Sequence, residues 1–263
     1  MVSIENDEQI YRRQLFHTPC RRSQMKLKKE EFRSFLAKYD ARNEKSIFWL
    51  DYIGLKFSHF DEFMGLLTKV SADSVIKLTL RCEPRDYVGK DEADSVKKAQ
   101  EFQREFAEVL PNPSDEPSNE FIDFAELIQN MVQVAVQKTL SSAMPVKFVP
   151  ISSFCYADGA GMFTVTGIVC LRTDEDKIKK AFDTWDLKNL NWKKPRVIDV
   201  PILSTKERLH LQKRLPLTGN AGKALRIALG YLTESDSISR TNAKLQQYAD
   251  FHRFFPYFMK AIP

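Results

Sequence analysis

Two carboxylates stand out for where they fall. Glu5 closes the apolar half of the opening segment MVSIEND, and Asp51 closes the apolar and aromatic run 47–50 within SIFWLDY. A charge at the end of such a run either emerges at the edge of a sheet or is paired at high cost, and emergence is the cheaper solution. At the carboxyl edge of a nucleotide-binding sheet, an acid placed like Glu5 accepts two hydrogen bonds from ribose hydroxyls. An acid placed like Asp51 orients or deprotonates an acceptor group. Each has a plainer reading: Glu5 caps a helix beginning near Asp7, and Asp51 holds the loop 52–56. Tyr52, beside Asp51, either stacks on a planar substrate or packs against its own protein.

Other chemistries find little support. His17, His59, His210 and His252 form no H-E-x-x-H motif and have no second ligand at metal spacing. His210 lies in TKERLHLQKRL, where the neighbouring bases indicate a solvated helix face. Cys20, Cys82, Cys155 and Cys170 are far apart, without a C-x-x-C pair, and read as reduced and mostly buried thiols. No G-x-S-x-G nucleophile elbow, P-loop or glycine-rich phosphate cradle is present, which argues against a serine hydrolase or a P-loop NTPase.

The elements that must position the two acids alternate. A strand ending in Glu5 leads into a helix to about residue 16, followed by a weak strand at 23–27 and a helix at 29–39. The strand SIFWLDY, an amphipathic helix at 57–70 and the strand SVIKLTLRC (74–82) come next. This order implies βαβ units and a parallel sheet with ligands at the carboxyl ends of its strands. From residue 91 the pattern becomes two helices, about 91–110 and 119–143, split by the linker PNPSDEP. Runs at 146–155 and 162–171 then flank YADGAG, an Asp-Gly hairpin signal, so an antiparallel pair should close the sheet. A helix at 174–185 precedes a basic, proline-punctuated stretch, 189–216. The tail turns helical from Ala221, and its aromatics Phe251, Phe254, Phe255, Tyr257 and Phe258 read as docking a terminal helix onto its own domain.

The longest apolar runs fall far short of the ~20 residues that span a bilayer, and no signal-peptide pattern opens the chain, so the protein reads as cytosolic and free of the membrane. Net charge is +5, but residues 83–126 hold 13 acids against 5 bases and residues 186–226 hold 10 bases against 3 acids. That asymmetry would steer a polyanion to the basic segment, although no RRM, zinc-finger or bZIP pattern accompanies it.

With Glu5 and Asp51 placed, the chain resembles a bacterial O-methyltransferase group with the class I S-adenosylmethionine-dependent methyltransferase fold. The matching stretches are MVSIEND, SIFWLDYIGL, SVIKLTL, FCYADGAGMFTVTG, VPILSTKERLHLQKRLP and YADFHRFFPYF. The resemblance implies a Rossmann-like, mostly parallel α/β sheet of seven strands with an antiparallel last strand. Residues 1–90 would be a partial cofactor-binding core, 91–144 a helical insert, 145–186 the hairpin and helix that complete the sheet, and 187–263 a basic, helical extension. It further implies S-adenosylmethionine as cofactor, with its ribose held by Glu5 and its neighbour Asn6, and with Asp51 and Tyr52 beside the transferred methyl. The methyl acceptor is not legible. The group's first strand and glycine-rich turn have no counterpart in these residues. The chain is therefore expected to be a fragment, a half completed by a partner chain or a second copy, or an inactive interaction module that contacts a protein or nucleic acid through 186–226. Asp51-Tyr52 also lacks the Pro-Pro-aromatic sequence of enzymes that methylate nucleic-acid amino groups, which favours oxygen as the acceptor atom.

Overall fold

The computed structural model describes residues 1–17, 24–39, 44–233 and 237–254. The chain divides into two compact units, Met1–Arg196 and Val197–Pro263. In the first, strand and helix alternate as the pattern suggests: β1 (Val2–Glu5), α1 (Glu8–His17), β2 (Lys26–Lys29), α2 (Phe32–Lys38), β3 (Ile47–Asp51), α3 (Phe57–Leu67) and β4 (Ser74–Arg81). The helices α4 (Glu92–Phe106) and α5 (Phe121–Thr139) follow, then the long strands β5 (Val146–Asp158) and β6 (Ala160–Leu171) and the helix α6 (Glu175–Ala181). The second strand starts later than expected, at Lys26, and Ser23 lies outside the described residues.

The strands do not form one sheet. β1 and β2 pair in parallel as a two-stranded sheet, while β3, β4, β6, β5 and the short β7 (Arg196–Ile198) follow in that order in a second. The alternation suggested a single sheet, and the correction has a backbone origin: among the described residues β1 pairs only with β2, and β3 only with β4. Strand directions are nevertheless mostly shared. β3 is parallel to β4, and β6 runs against both β4 and β5, so β6 is the one reversed strand of the four longest. The hairpin is tighter than a loop spanning 156–161, because pairing continues to Asp158 and Ala160 around Gly159, whose φ of +76° suits a residue without a side chain.

Alternation along β4 builds the core. Ile76, Leu78 and Leu80 are fully buried, and Leu78 and Leu80 stand in register with the buried Val165 and Phe163 of β6. Beside Ile76 the register position is Gly167, where a Cβ would lie 2.1 Å from the Phe148 ring. The glycine thus makes room for Phe148, which meets Phe63 of α3 edge-on at 6.0 Å. Phe60 of α3 meets Phe106 of α4 at 5.9 Å, and Phe102 of α4 meets Phe124 of α5 at 6.2 Å. Each buried aromatic contributes about 1.5–3 kcal/mol by leaving water. Elsewhere Val149, Ile151 and Cys170 pack with Ile178, Phe182 and Trp185 around α6. β3 is different: Ile47 and Trp49 are 83% and 62% exposed.

Cys82, Cys155 and Cys170 are buried and unbridged, and Cys20 lies outside the described residues. Burial pushes the Cys155 thiol up to about 11 and raises Cys82 further, so neither acts as a thiolate.

The second unit is helical: α7 (Thr205–Gln212), α8 (Ala221–Leu229) and α9 (Ile238–Phe251). A capping box starts α7, with Glu207 N donating to Ser204 Oγ and Ser204 N donating to Glu207 Oε2. Leu211, Leu225, Leu245 and Tyr248 form the core. α8 and α9 approach closely at Gly222, where a Cβ would lie 2.0 Å from the Asn242 carbonyl oxygen. Of the aromatic tail, Tyr248 and Phe251 are buried and Phe254 is exposed, while Phe255, Tyr257 and Phe258 lie outside the described residues.

A buried polar cluster fixes segment 189–193 to the first unit's core. Asn189 Nδ2 donates to Ser153 Oγ at 2.6 Å and to the Lys193 carbonyl at 2.6 Å, and Ser153 Oγ donates to Gln129 Oε1 at 2.6 Å. Gln129 Nε2 donates to the Lys193 carbonyl at 2.9 Å. Removing one member strands the others away from water. Asn189→Ala is expected to lower unfolding stability by about 1–3 kcal/mol, read as a lower urea midpoint with an unchanged denaturant slope.

Candidate functional site

The run Ile47–Asp51 has the β-branched and aromatic residues of a strand, and its parallel register on β4 determines what surrounds its end. Asp51 stands opposite Thr79, and Thr79 opposite Thr164 on β6, so three polar side chains form a row across three strands on one face. Trp49 shares that face. Its Nε1 donates to Thr79 Oγ1 at 3.1 Å, the Thr79 and Thr164 hydroxyls are 3.3 Å apart, and Lys77 Nζ lies 4.3 Å from the centre of a Trp49 ring. Asp51 itself is exposed, with no side-chain hydrogen bond among the described residues.

Tyr52 turns away from that row. Its ring stacks on His59 of α3, centroids 4.1 Å apart and planes at 7°, and its hydroxyl donates to Glu62 Oε2 at 2.6 Å. Arg33 of α2 completes the chain, 3.6 Å from Glu62 Oε1 and 2.7 Å from Asp61 Oδ2. Burial and the bond to Glu62 raise the Tyr52 hydroxyl far above its ordinary range. Tyr52 stays protonated, and this bond occupies its proton, so its role is to hold the turn after Asp51.

At β1 the Asp7 amide donates to Glu5 Oε1 at 2.9 Å, and Asp7 Oδ1 accepts from the amides of Gln9 at 2.8 Å and Ile10 at 2.9 Å. The helix cap is therefore Asp7, and Glu5 braces it. The plainer reading of Glu5 is corrected in that respect. Glu5 Oε2 and the exposed Asn6 side chain have no partner among the described residues. Glu5 and Asp51 end strands of two different sheets.

The sequence model of one protein family, described as "Putative O-methyltransferase", matches residues 1–263. The chain belongs to that family. A comparison with curated proteins gave no match. Membership supports reading the chain as a methyltransferase. Among the described residues of this family member, no three His, Cys, Asp or Glu side chains converge as metal ligands, and no helix is long and apolar enough to cross a membrane.

Sequence reasoning singled out Asp51 and Tyr52 but not the residues that surround them, Thr79, Thr164, His59, Glu62 and Arg33. A signal existed for the first: Lys77, Thr79 and Arg81 alternate with Ile76, Leu78 and Leu80, marking a polar face on β4. His59 offered none, because its burial depends on the Tyr52 ring.

Burial, aided by the positive charge of Lys56, holds His59 down to about 4 from its ordinary 6.5, and its buried Nδ1 has no partner. Between those values the unfolded chain binds a proton that the folded chain does not. Stability is therefore complete above the ordinary value and is lost as pH falls through the window. The ring is only half-buried, so the loss is about 1–2 kcal/mol. Urea unfolding near neutrality and at about pH 5 should show it, and His59→Phe, which keeps a stacked ring, should remove that part of the pH dependence.

Proposed function

We propose that this chain carries the catalytic sheet of an S-adenosylmethionine-dependent methyltransferase that acts on oxygen, with Glu5 and Asn6 on the ribose and Asp51 facing the acceptor. What supports the reading most is the strand order: the reversed β6 sits between β4 and β5, as the resemblance implies for an antiparallel last strand. Around that centre, the two acids close the parallel strands β1 and β3.

The donor set fits the ribose half of the cofactor. One Glu5 oxygen braces Asp7 and the other is free to accept from a sugar hydroxyl, with the Asn6 amide beside it. It does not supply the methionine half, since residues 1–263 contain no match to the glycine-rich turn. In the fold implied by the resemblance, a first strand stands between the strands that β1 and β3 represent. We read their unpaired edges as its place, and the exposed Ile47 and Trp49 as surface that its flanking structure would cover.

Bound S-adenosylmethionine supplies an electrophilic methyl group on a sulfonium. Asp51 accepts the hydrogen bond of the acceptor hydroxyl, aligning one oxygen lone pair with the methyl carbon. Asp51 would take the proton of an acidic acceptor hydroxyl, while the bound cofactor would supply the methyl group. Thr79 holds Trp49 and Glu62 holds Tyr52, which together fix the backbone on both sides of that acid. A second reading keeps the sheet as an interaction module without turnover.

Calorimetry of the 263-residue chain with S-adenosylhomocysteine distinguishes the two. The methyltransferase reading predicts binding heat, a tenfold or greater loss of affinity in Glu5→Ala (about 1.5–3 kcal/mol for each hydrogen bond to a charged group), and little change in Asp51→Ala. No heat from a folded sample, or equal affinity in Glu5→Ala, overturns it.

A further inference from the structure

The basic stretch 186–226 does not behave uniformly once folded. Within the first unit three of its four bases are engaged: Lys194 pairs with Asp123 at 2.6 Å and Glu126 at 3.2 Å, Lys188 with Asp183 at 2.9 Å, and Arg196 donates to the Asp186 carbonyl at 3.2 Å. In the second unit it is the acids that are engaged. Asp199 is held by Lys244 at 3.0 Å, Asp250 by Gln246 at 3.0 Å, and Glu207 by the Ser204 amide at 2.6 Å and by the Tyr231 hydroxyl. Lys206, Arg208, Lys213, Arg214 and Lys223 pair with no acid among the described residues.

Three of these lie together. Lys206 and Lys213, seven residues apart, flank His210 on one exposed stripe of α7, and Arg214 follows directly. At the helical rise the two lysines are about 10 Å apart along the axis. The buried Leu211 faces the other way, and the capping box and the bond between His210 Nε2 and the Ala228 carbonyl at 3.1 Å hold the helix in place. Leu209 is the one large apolar side chain that α7 exposes.

We propose that this face of α7 docks the phosphate backbone of a nucleic acid, without reading its sequence. A lipid surface requires an apolar helix face to insert, and a stable protein interface requires a buried apolar or aromatic anchor. The α7 stripe offers only one exposed apolar side chain, Leu209, to either. A backbone of repeating phosphates requires only unpaired cations on a rigid support, and binding is driven by release of its counterions. The inference is independent of the methyl-transfer reading, because it concerns the second unit alone.

Fluorescence anisotropy of labelled single-stranded RNA and DNA oligonucleotides of about 20 nucleotides, titrated with the full chain, tests it. With about three phosphates neutralised, affinity for a single strand should fall roughly twentyfold between 50 and 200 mM salt. The triple variant Lys206→Glu, Lys213→Glu, Arg214→Glu should bind at least tenfold more weakly while melting at the wild-type temperature. Vesicles of phosphatidylcholine with phosphatidylserine should not compete at equal phosphate. Absence of binding at low salt, wild-type affinity in a folded triple variant, or preference for the vesicles overturns the proposal.

Discussion

A strand has two edges, and each must find hydrogen-bond partners for the structure around it to be dry. In this protein β4 and β6 meet that condition on both sides, through β3 and β6 for the first and β4 and β5 for the second. The rest follows from it. The helices α3, α4 and α5 supply their phenylalanines to the core around β4 and β6, and the Gln129–Ser153–Asn189 cluster ties the chain leaving the sheet back to the same place. Outward from that centre both sheets end in edge strands. Among the described residues β3, β7, β1 and β2 each keep an unpaired edge, and two of these, β3 and β1, end in Asp51 and Glu5. The rigid part of the molecule and its chemically suggestive part thus meet at β3.

The turn after β3 is held by means that do not need a paired edge. Tyr52 is clamped between the His59 ring and the Glu62 carboxylate, and Arg33 neutralises Glu62 from a separate helix. On the opposite face Trp49 lies along β4 through Thr79 and Lys77. These side-chain anchors leave Asp51 itself without a hydrogen bond among the described residues. Cation–π and surface ion-pair terms of this kind are each worth only about 0.5–1 kcal/mol. Orientation of the turn depends more on the stacked and hydrogen-bonded Tyr52.

Much of the fold was legible because its periods are clean. SVIKLTLR alternates, the α3 face repeats Phe60, Phe63 and Leu67, and Asp-Gly announces the hairpin. The division into two sheets was not legible, because periodicity reports which face of a strand is buried and says nothing of whether its edges are paired. At the site, Asp51 was readable as a charge ending an apolar run, whereas His59 and Glu62 act through a residue reached only after the chain turns. The basic stretch shows the same limit. A charge count over 186–226 cannot separate Lys194, neutralised by Asp123 and Glu126, from Lys206 and Lys213, which face solvent without an acid among the described residues.

Under the proposed methyl-transfer reading, Glu5 and Asp51 bind ligand at the carboxyl ends of β1 and β3. Residue-resolved amide hydrogen exchange addresses it without knowledge of the acceptor. In the free chain, residues 2–5 and 47–51 should exchange faster than residues 74–81 and 160–171, and saturation with S-adenosylhomocysteine should slow both edge strands together. Edge strands already as protected as β4 in the free chain, or unchanged at saturation, would contradict the account.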